Sequence, residues 1–139
     1  MNASPTHDRW RRLWLLCGWV MIGLVILFSL IPAPPILDVS QGDKLQHLGG
    51  YALLMAWFAQ VYRRPGSRMC VALGLTALGI TLEVLQGMTG WRSFESSDMV
   101  ANTAGVLLGW LLAPPRGPEL YRRVADRDRL AANAQSSAR

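Results

Sequence analysis

Charged side chains are scarce in this sequence and are missing from long stretches of it. They make up 17% of the 139 residues, whereas a soluble domain carries charge on about a quarter of its residues. The few charges lie mostly in short blocks at 9–12, 63–68 and 116–129, a pattern typical of membrane spans and loops. The net charge of +5 therefore does not indicate a nucleic-acid partner, because the basic residues flank apolar runs instead of lining one helix face.

Cysteine and the common catalytic signatures are also rare or missing. Cys17 and Cys70 lack metal-ligand spacing, and both lie toward the predicted cytoplasmic side, where disulfides are rare. We expect them to be packing residues. The sequence contains no G-x-S-x-G, no H-E-x-x-H and no phosphate-binding glycine loop.

Four apolar segments approach the roughly 20 residues that a helix needs to cross a bilayer, at 13–31, 45–62, 69–86 and 98–113. The first ends at Pro32, and we expect it to be retained because no A-x-A cleavage site follows its long apolar core. The last is short unless Asp98 lies at the head-group level. The sequence thus predicts an all-α polytopic membrane protein, a bundle of four transmembrane helices between a tail at 1–12 and a basic tail at 114–139.

The distribution of lysine and arginine predicts the orientation of these spans. Twelve of the fourteen lie in the two tails or in the loop between spans two and three. Only Lys44 and Arg92 lie in the other two loops. By the positive-inside rule both termini are cytoplasmic, and we expect the basic tail, with a short helix from Pro118 to about Ala132, to lie on anionic lipid.

Small residues predict how spans three and four pack. Lipid removes the hydrophobic attraction between helices, so close backbone approach must replace it. Span four carries such residues every fourth position, at Ala101, Gly105 and Gly109. Span three has one face that begins small and ends polar, formed by Ala72, Thr76, Gly79, Glu83 and Gln86.

Polar side chains from three spans are predicted to meet at one depth, under the outer head groups. Glu83 lies about 21 Å along span three from Met69, at 1.5 Å per residue. Span two enters from outside with Asp43 and His47 in its first turns, and span four enters with Asp98 and Asn102. Intramembrane ionisable groups usually face protein or water and mark functional sites.

Each polar residue also has a structural interpretation. Asp43, in Ser40-x-x-Asp43, and Asp98, after two serines, are suitable as helix-start acids. His47 is explained equally by a hydrogen bond in the packed interior. Glu83 is explained by an ion pair with Arg92 or Lys44.

Three motifs together resemble the VanZ-like family of small bacterial membrane proteins. They are Asp43-Lys44-x-x-His47, then Glu83-x-x-Gln86 with Arg92 after it, and Asp98-x-x-x-Asn102-x-x-Gly105. The resemblance covers roughly 32–112 and rests on the order and spacing of the three. It implies a four-helix protein of the bacterial inner membrane with a role in the cell envelope, and the family takes its name from an accessory protein of teicoplanin resistance. The matched positions are Asp43, Lys44, His47, Glu83, Gln86, Arg92, Asp98 and Asn102.

Three functions are compatible with this cluster. The first is binding of an amphipathic envelope molecule, such as a membrane lipid or a lipid-linked cell-wall precursor, with Arg92 and Lys44 meeting a phosphate. The second is an enzyme acting on a lipid-linked phosphate or acyl group, with His47 and Glu83 as acid and base. The third is a transporter subunit, although spans two to four offer little polar lining further inward. We assign no metal ligands and expect no cofactor, while carboxylates beside one histidine leave a divalent ion open.

Overall fold

The computed structural model describes residues 5–32 and 42–137, and these residues form five α-helices and no β-strand. The helices are α1 (Pro5–Leu30), α2 (Gly42–Ala59), α3 (Pro65–Met88), α4 (Ser96–Leu112) and α5 (Leu120–Ser137). The all-α class predicted from the sequence is confirmed. Within the described ranges, two helical stretches are long and apolar enough to cross a membrane, Asp8–Leu30 and Pro65–Met88.

Local chemistry accounts for several of the helix bounds. Pro65 occupies the first turn of α3, where its missing N–H would have no intrahelical partner in any case. After α3 ends, Gly90 has a φ of +80°, a conformation that costs glycine little and other residues more. α1 begins at Pro5 and therefore includes the basic residues that precede its predicted apolar segment. α2 ends at Ala59 rather than at Tyr62.

Helices α2 and α4 form the closest pair and run parallel. A Cβ at Gly105 would overlap the carbonyl oxygen of Leu48, and a Cβ at Gly109 would overlap that of Ala52. The two backbones can approach this closely only because these positions lack side chains. Gly79 similarly brings α3 against Asn102 of α4.

We call the end of the bundle where α2 and α4 begin the upper end, and the opposite end the lower end. At the lower end, the buried Arg68 donates to the carbonyl oxygens of Ala59, Tyr62 and Pro114 at 3.0, 3.3 and 2.8 Å. These carbonyls follow the last turns of α2 and α4, where the helix dipole favours a cation. The sequence analysis treated Arg68 only as a topology signal, and the structure gives it a packing role as well.

Helix α5 lies against α1 at the lower end. Trp10 donates its indole N–H to Asp128 at 2.8 Å, and Arg9 pairs with the same carboxylate at 3.2 Å. Tyr121 is buried and meets the ring of Trp14 edge to face. The tail helix is therefore packed on the bundle through one face, and the exposed face carries Arg122, Arg123, Arg127 and Arg129.

The bundle exposes many apolar side chains, and its interior combines an apolar core, which includes Leu54, Met55 and Val106, with buried polar residues. Large hydrophobic residues such as Trp19, Leu73, Val100 and Leu107 are about two-thirds exposed, at 63%, 63%, 68% and 59%. The buried polar residues are Gln60, Arg68, Glu83, Gln86, Asp98 and Asn102. Cys17 and Cys70 belong to the outer surface, so the prediction that they pack inside is wrong. Both are small and weakly polar enough to be tolerated on an apolar surface.

Candidate functional site

The upper end of the bundle collects the polar side chains that the sequence singles out. Helices α2 and α4 contribute their first turns, α3 contributes its last turns, and the loop between α3 and α4 contributes Arg92 and Glu95. Lys44 lies on the rim, with its Nζ 3.1 Å from Glu95 and 3.6 Å from Asp43. The ammonium of Lys44 is therefore held between two carboxylates.

Beneath the rim, His47, Glu83 and Asp98 bring one ligand atom each within 4.8 Å of one another. We refer to these three residues as the His47 cluster. The imidazole Nε2 lies 3.4 Å from Asp98 Oδ2, and Nδ1 lies 3.0 Å from the side-chain oxygen of Asn102. Three helices thus meet here. The four-residue spacing puts Asp98 and Asn102 on one face of α4, and both contact His47 of α2.

Several oxygen atoms of this region are buried without a hydrogen-bond partner among the described residues. Glu83 Oε1 accepts the backbone N–H of Glu95 at 2.7 Å, but Oε2 has no partner. The same holds for Asp98 Oδ1 and for the hydroxyl of Tyr51. Glu83 is only 1% exposed and Asp98 only 4%, so bulk water does not solvate these atoms. Unsatisfied buried oxygens are rare in proteins and call for a physical reason.

A cavity of about 310 Å³ opens beside the His47 cluster. Its apolar lining comes from Val25 and Phe28 of α1, and most of its polar lining comes from α2, α3 and the loop after α3. The polar lining residues are Ser29, Asp43, Gln46, His47, Tyr51, Gln86 and Arg92. His47 belongs both to the cavity wall and to the cluster, so it connects the two.

The structure separates the matched positions by role. Gln86 donates to the carbonyl oxygen of Ser29 at 3.0 Å, which fastens α3 to the end of α1. Asn102 orients the imidazole of His47. Arg92 lines the cavity, whereas Lys44 is engaged by the acids of the rim. The expectation that both cations would meet a phosphate is therefore retained for Arg92 alone.

One of the structural interpretations fails within the described residues. Glu83 forms no ion pair with Arg92 or Lys44, and its hydrogen bond comes from a backbone N–H. Asp43 and Asp98 do lie in the first turns of α2 and α4, as helix-start acids. The N-cap of α4 is Glu95, however, and the side chain of Asp98 faces His47. Ser40, which belongs to the predicted capping box of Asp43, lies outside the described residues.

Sequence reasoning missed six residues of the cavity wall. Tyr51 follows His47 by one helical turn and shares its face, and Gln46 follows Asp43 by three residues, so helical spacing could have found both. Gly50 has no side chain to signal a role, and Val25, Phe28 and Ser29 come from a part of α1 without charged residues. Only tertiary packing places these four in the same cavity wall as Arg92.

Comparisons with models of known protein families, with curated proteins and with solved structures find no match for this chain. The resemblance to the VanZ-like family therefore stays a prediction that rests on the three motifs.

Proposed function

We propose that this chain is a bacterial inner-membrane protein of the VanZ-like type that binds an amphipathic envelope molecule at its upper end. It crosses the bilayer four times, through α1 to α4, with both termini cytoplasmic and the upper end facing outward. The ligand places a phosphate-bearing head group against Arg92 and an acyl or prenyl chain along α1. The observation that carries the proposal is the cavity of about 310 Å³ with one apolar and one polar wall.

The exposed apolar surface supports the four spans. Monomeric soluble proteins rarely expose apolar patches larger than a few hundred Å². Here hydrophobic side chains are exposed on α2 and α4 as well as on the two longer helices, for example Leu53, Val100 and Leu111. α2 and α4 have 18 and 17 residues, about 26 Å of helix, and cross if the bilayer is slightly thinner around them.

The positions of the charges support the orientation. The lower end carries the basic tail and the loop with Arg63, Arg64 and Arg68, whereas the upper end holds only Lys44 and Arg92 among its described lysines and arginines. Short loops and tails rich in lysine and arginine stay on the cytoplasmic side of a membrane. The candidate site then lies just under the outer head groups, within reach of lipids of the outer leaflet.

Arg92 is the cation of the cavity that is available to an anion. Its guanidinium carries five N–H donors in a fork that fits phosphate oxygens, and it forms no ion pair among the described residues. Carboxylates of the same wall, such as Asp43, accept hydroxyl or amide hydrogens of a head group. Together these contacts suit a phospholipid or a lipid-linked saccharide better than a simple anion.

Native mass spectrometry of protein released from a mild detergent tests this proposal. Wild type should retain lipid phosphates, and the added probes are phosphatidylglycerol and a polyprenyl-diphosphate saccharide. Arg92→Ala should weaken binding by about tenfold or more, since a hydrogen bond to a charged group contributes about 1.5–3 kcal/mol. The matched control is Arg64→Ala, which removes an exposed arginine from the lower end. Equal lipid retention by wild type and both variants would rule out a head-group site at Arg92.

Catalysis on the same lipids is the second candidate, and the pairing of His47 with Asp98 beside the cavity favours it. With its Nδ1 hydrogen donated to Asn102, His47 keeps a lone pair on Nε2 that can act as a general base toward water or a hydroxyl. Incubation of the purified protein with polyprenyl diphosphates and phospholipids would detect released phosphate or transferred acyl groups. No turnover above that of His47→Gln would leave binding as the function.

A further inference from the structure

The His47 cluster has the composition and spacing of a cation site. It offers one imidazole nitrogen and two carboxylates from three different helices, all within 4.8 Å. The 3.4 Å between His47 Nε2 and Asp98 Oδ2 is close to the roughly 3.3 Å edge of a tetrahedron with metal–ligand bonds of 2.0–2.1 Å. Glu83 supplies the third ligand atom, within 4.8 Å of the other two.

The charge balance of the upper end also favours a bound cation. Four carboxylates gather there, from Asp43, Glu83, Glu95 and Asp98, against the two cations Lys44 and Arg92. Lys44 is already shared by Asp43 and Glu95 on the rim. The two carboxylates below it, Glu83 and Asp98, form no ion pair with a lysine or arginine among the described residues. Buried carboxylates without a counter-charge are strongly disfavoured.

The hydrogen bond from His47 to Asn102 determines what the other ring nitrogen can do. The amide oxygen of Asn102 accepts only, so Nδ1 of His47 carries the hydrogen. Nε2 then faces Asp98 with a lone pair unless a proton or a metal ion lies between them. A proton would satisfy this one contact, but it would leave Glu83 Oε2 unpartnered. A metal ion would satisfy the imidazole and both carboxylates together.

We propose that His47, Glu83 and Asp98 bind one divalent transition-metal ion, with Zn²⁺ as the best-suited ion. Imidazole is a ligand for zinc and related metals, whereas Mg²⁺ and Ca²⁺ prefer oxygen alone. Asn102 fixes the tautomer of the histidine, a role that hydrogen-bonded groups around metal sites commonly have. The site stands on the geometry of the cluster and does not depend on which lipid, if any, occupies the cavity.

Metal titration of the purified full-length protein tests the site directly. The protein is prepared in detergent with Cys17→Ala and Cys70→Ala, so that no thiol competes, and is stripped with a chelator. Isothermal titration with Zn²⁺ at pH 7 should give one site, and Co²⁺ should give the visible absorption of a nitrogen- and oxygen-bound ion. A tenfold excess of Mg²⁺ should not displace Zn²⁺.

Isosteric variants locate the site within the upper end. Glu83→Gln and Asp98→Asn should each lower the affinity for Zn²⁺ at least tenfold, and Asn102→Ala should lower it by roughly 10–100-fold. The control is Glu95→Gln, which removes a neighbouring carboxylate of the rim and should change the affinity less than twofold. The Co²⁺ spectrum of the unsubstituted site gives an answer even if a variant fails to fold.

Three results would overturn the metal site. The first is an absence of stoichiometric Zn²⁺ binding by the folded protein. The second is binding that survives both carboxylate variants, and the third is binding lost in Glu95→Gln. Failure of the head-group proposal is distinguishable, because Arg92→Ala should lose lipid while keeping the metal.

Discussion

A single side chain, that of Arg68, joins two helix ends at the lower end of the bundle. Its guanidinium is buried and contacts three carbonyl oxygens instead of a carboxylate. Those oxygens follow the ends of α2 and α4, where the backbone carbonyls have no intrahelical partners. One arginine therefore closes two helix ends.

Arg68→Met should destabilise the folded protein by about 2–4 kcal/mol, because two buried carbonyls and one partly buried carbonyl lose a charged donor at once. Thermal unfolding in detergent, followed by circular dichroism, measures the change. Arg64→Ala is the control, since its side chain is exposed four residues earlier. Equal midpoints for the two variants would contradict the capping role of Arg68.

Glu119 gives the lower end a dependence on pH. The hydrogen bond from Arg63 holds the pKa of Glu119 below its ordinary value of 4.5. A carboxylate with a lowered pKa stabilises the fold above its unfolded pKa and loses this contribution as the pH falls through the folded value. The difference in thermal midpoint between wild type and Glu119→Gln should therefore shrink below about pH 4.5. A constant difference for Glu119→Gln across this pH range would argue against the pair.

At the scale of helices, the contact between α2 and α4 depends on the missing side chains of Gly105 and Gly109. The carbonyl oxygens of Leu48 and Ala52 occupy the space that a Cβ would need. A backbone cannot yield as a flexible side chain can, so a larger residue must separate the helices.

Gly109→Ala should destabilise the bundle by about 1–3 kcal/mol, the usual cost of overpacking a tight contact. Gly74→Ala should be neutral or stabilise by up to about 1 kcal/mol, because its Cβ would meet open space and alanine favours helix. Unfolding in detergent with increasing sodium dodecyl sulfate compares the two. A Gly109→Ala protein as stable as Gly74→Ala would show that α4 can move away at no cost.

For the whole molecule, the proposed topology makes a prediction about which loops face outward. In a background without Cys17 and Cys70, Ser93→Cys at the upper end should react with a membrane-impermeant maleimide in intact spheroplasts. Ser67→Cys at the lower end should react only after permeabilisation, because the basic loops stay in the cytoplasm. The reverse pattern would show that the protein has the opposite orientation. Labelling of both cysteines in intact spheroplasts would place both loops on the outer side, so that α3 would not cross the bilayer.

Counting along the sequence predicted the all-α class and the level at which His47, Glu83 and Asp98 lie, because helical rise and the alternation of spans convert position into depth. The same counting placed Gly105 and Gly109 on one face. It was wrong about Cys17 and Cys70, since a helix in lipid can be apolar on every side and periodicity then does not mark the buried face. It also paired Lys44 with a phosphate, while Glu95, only three residues after Arg92, holds it instead.

The sequence by itself determined the helices and the charge asymmetry between the two ends, because both follow from local composition and from the period of one helix. Tertiary structure alone decided the partners: Asn102 for His47, the carbonyls for Arg68, and the apolar wall that α1 brings to the cavity. The physical reason is that rotation of each helix about its axis is set by close packing at a few small residues. That rotation determines which of several equally deep side chains actually meet.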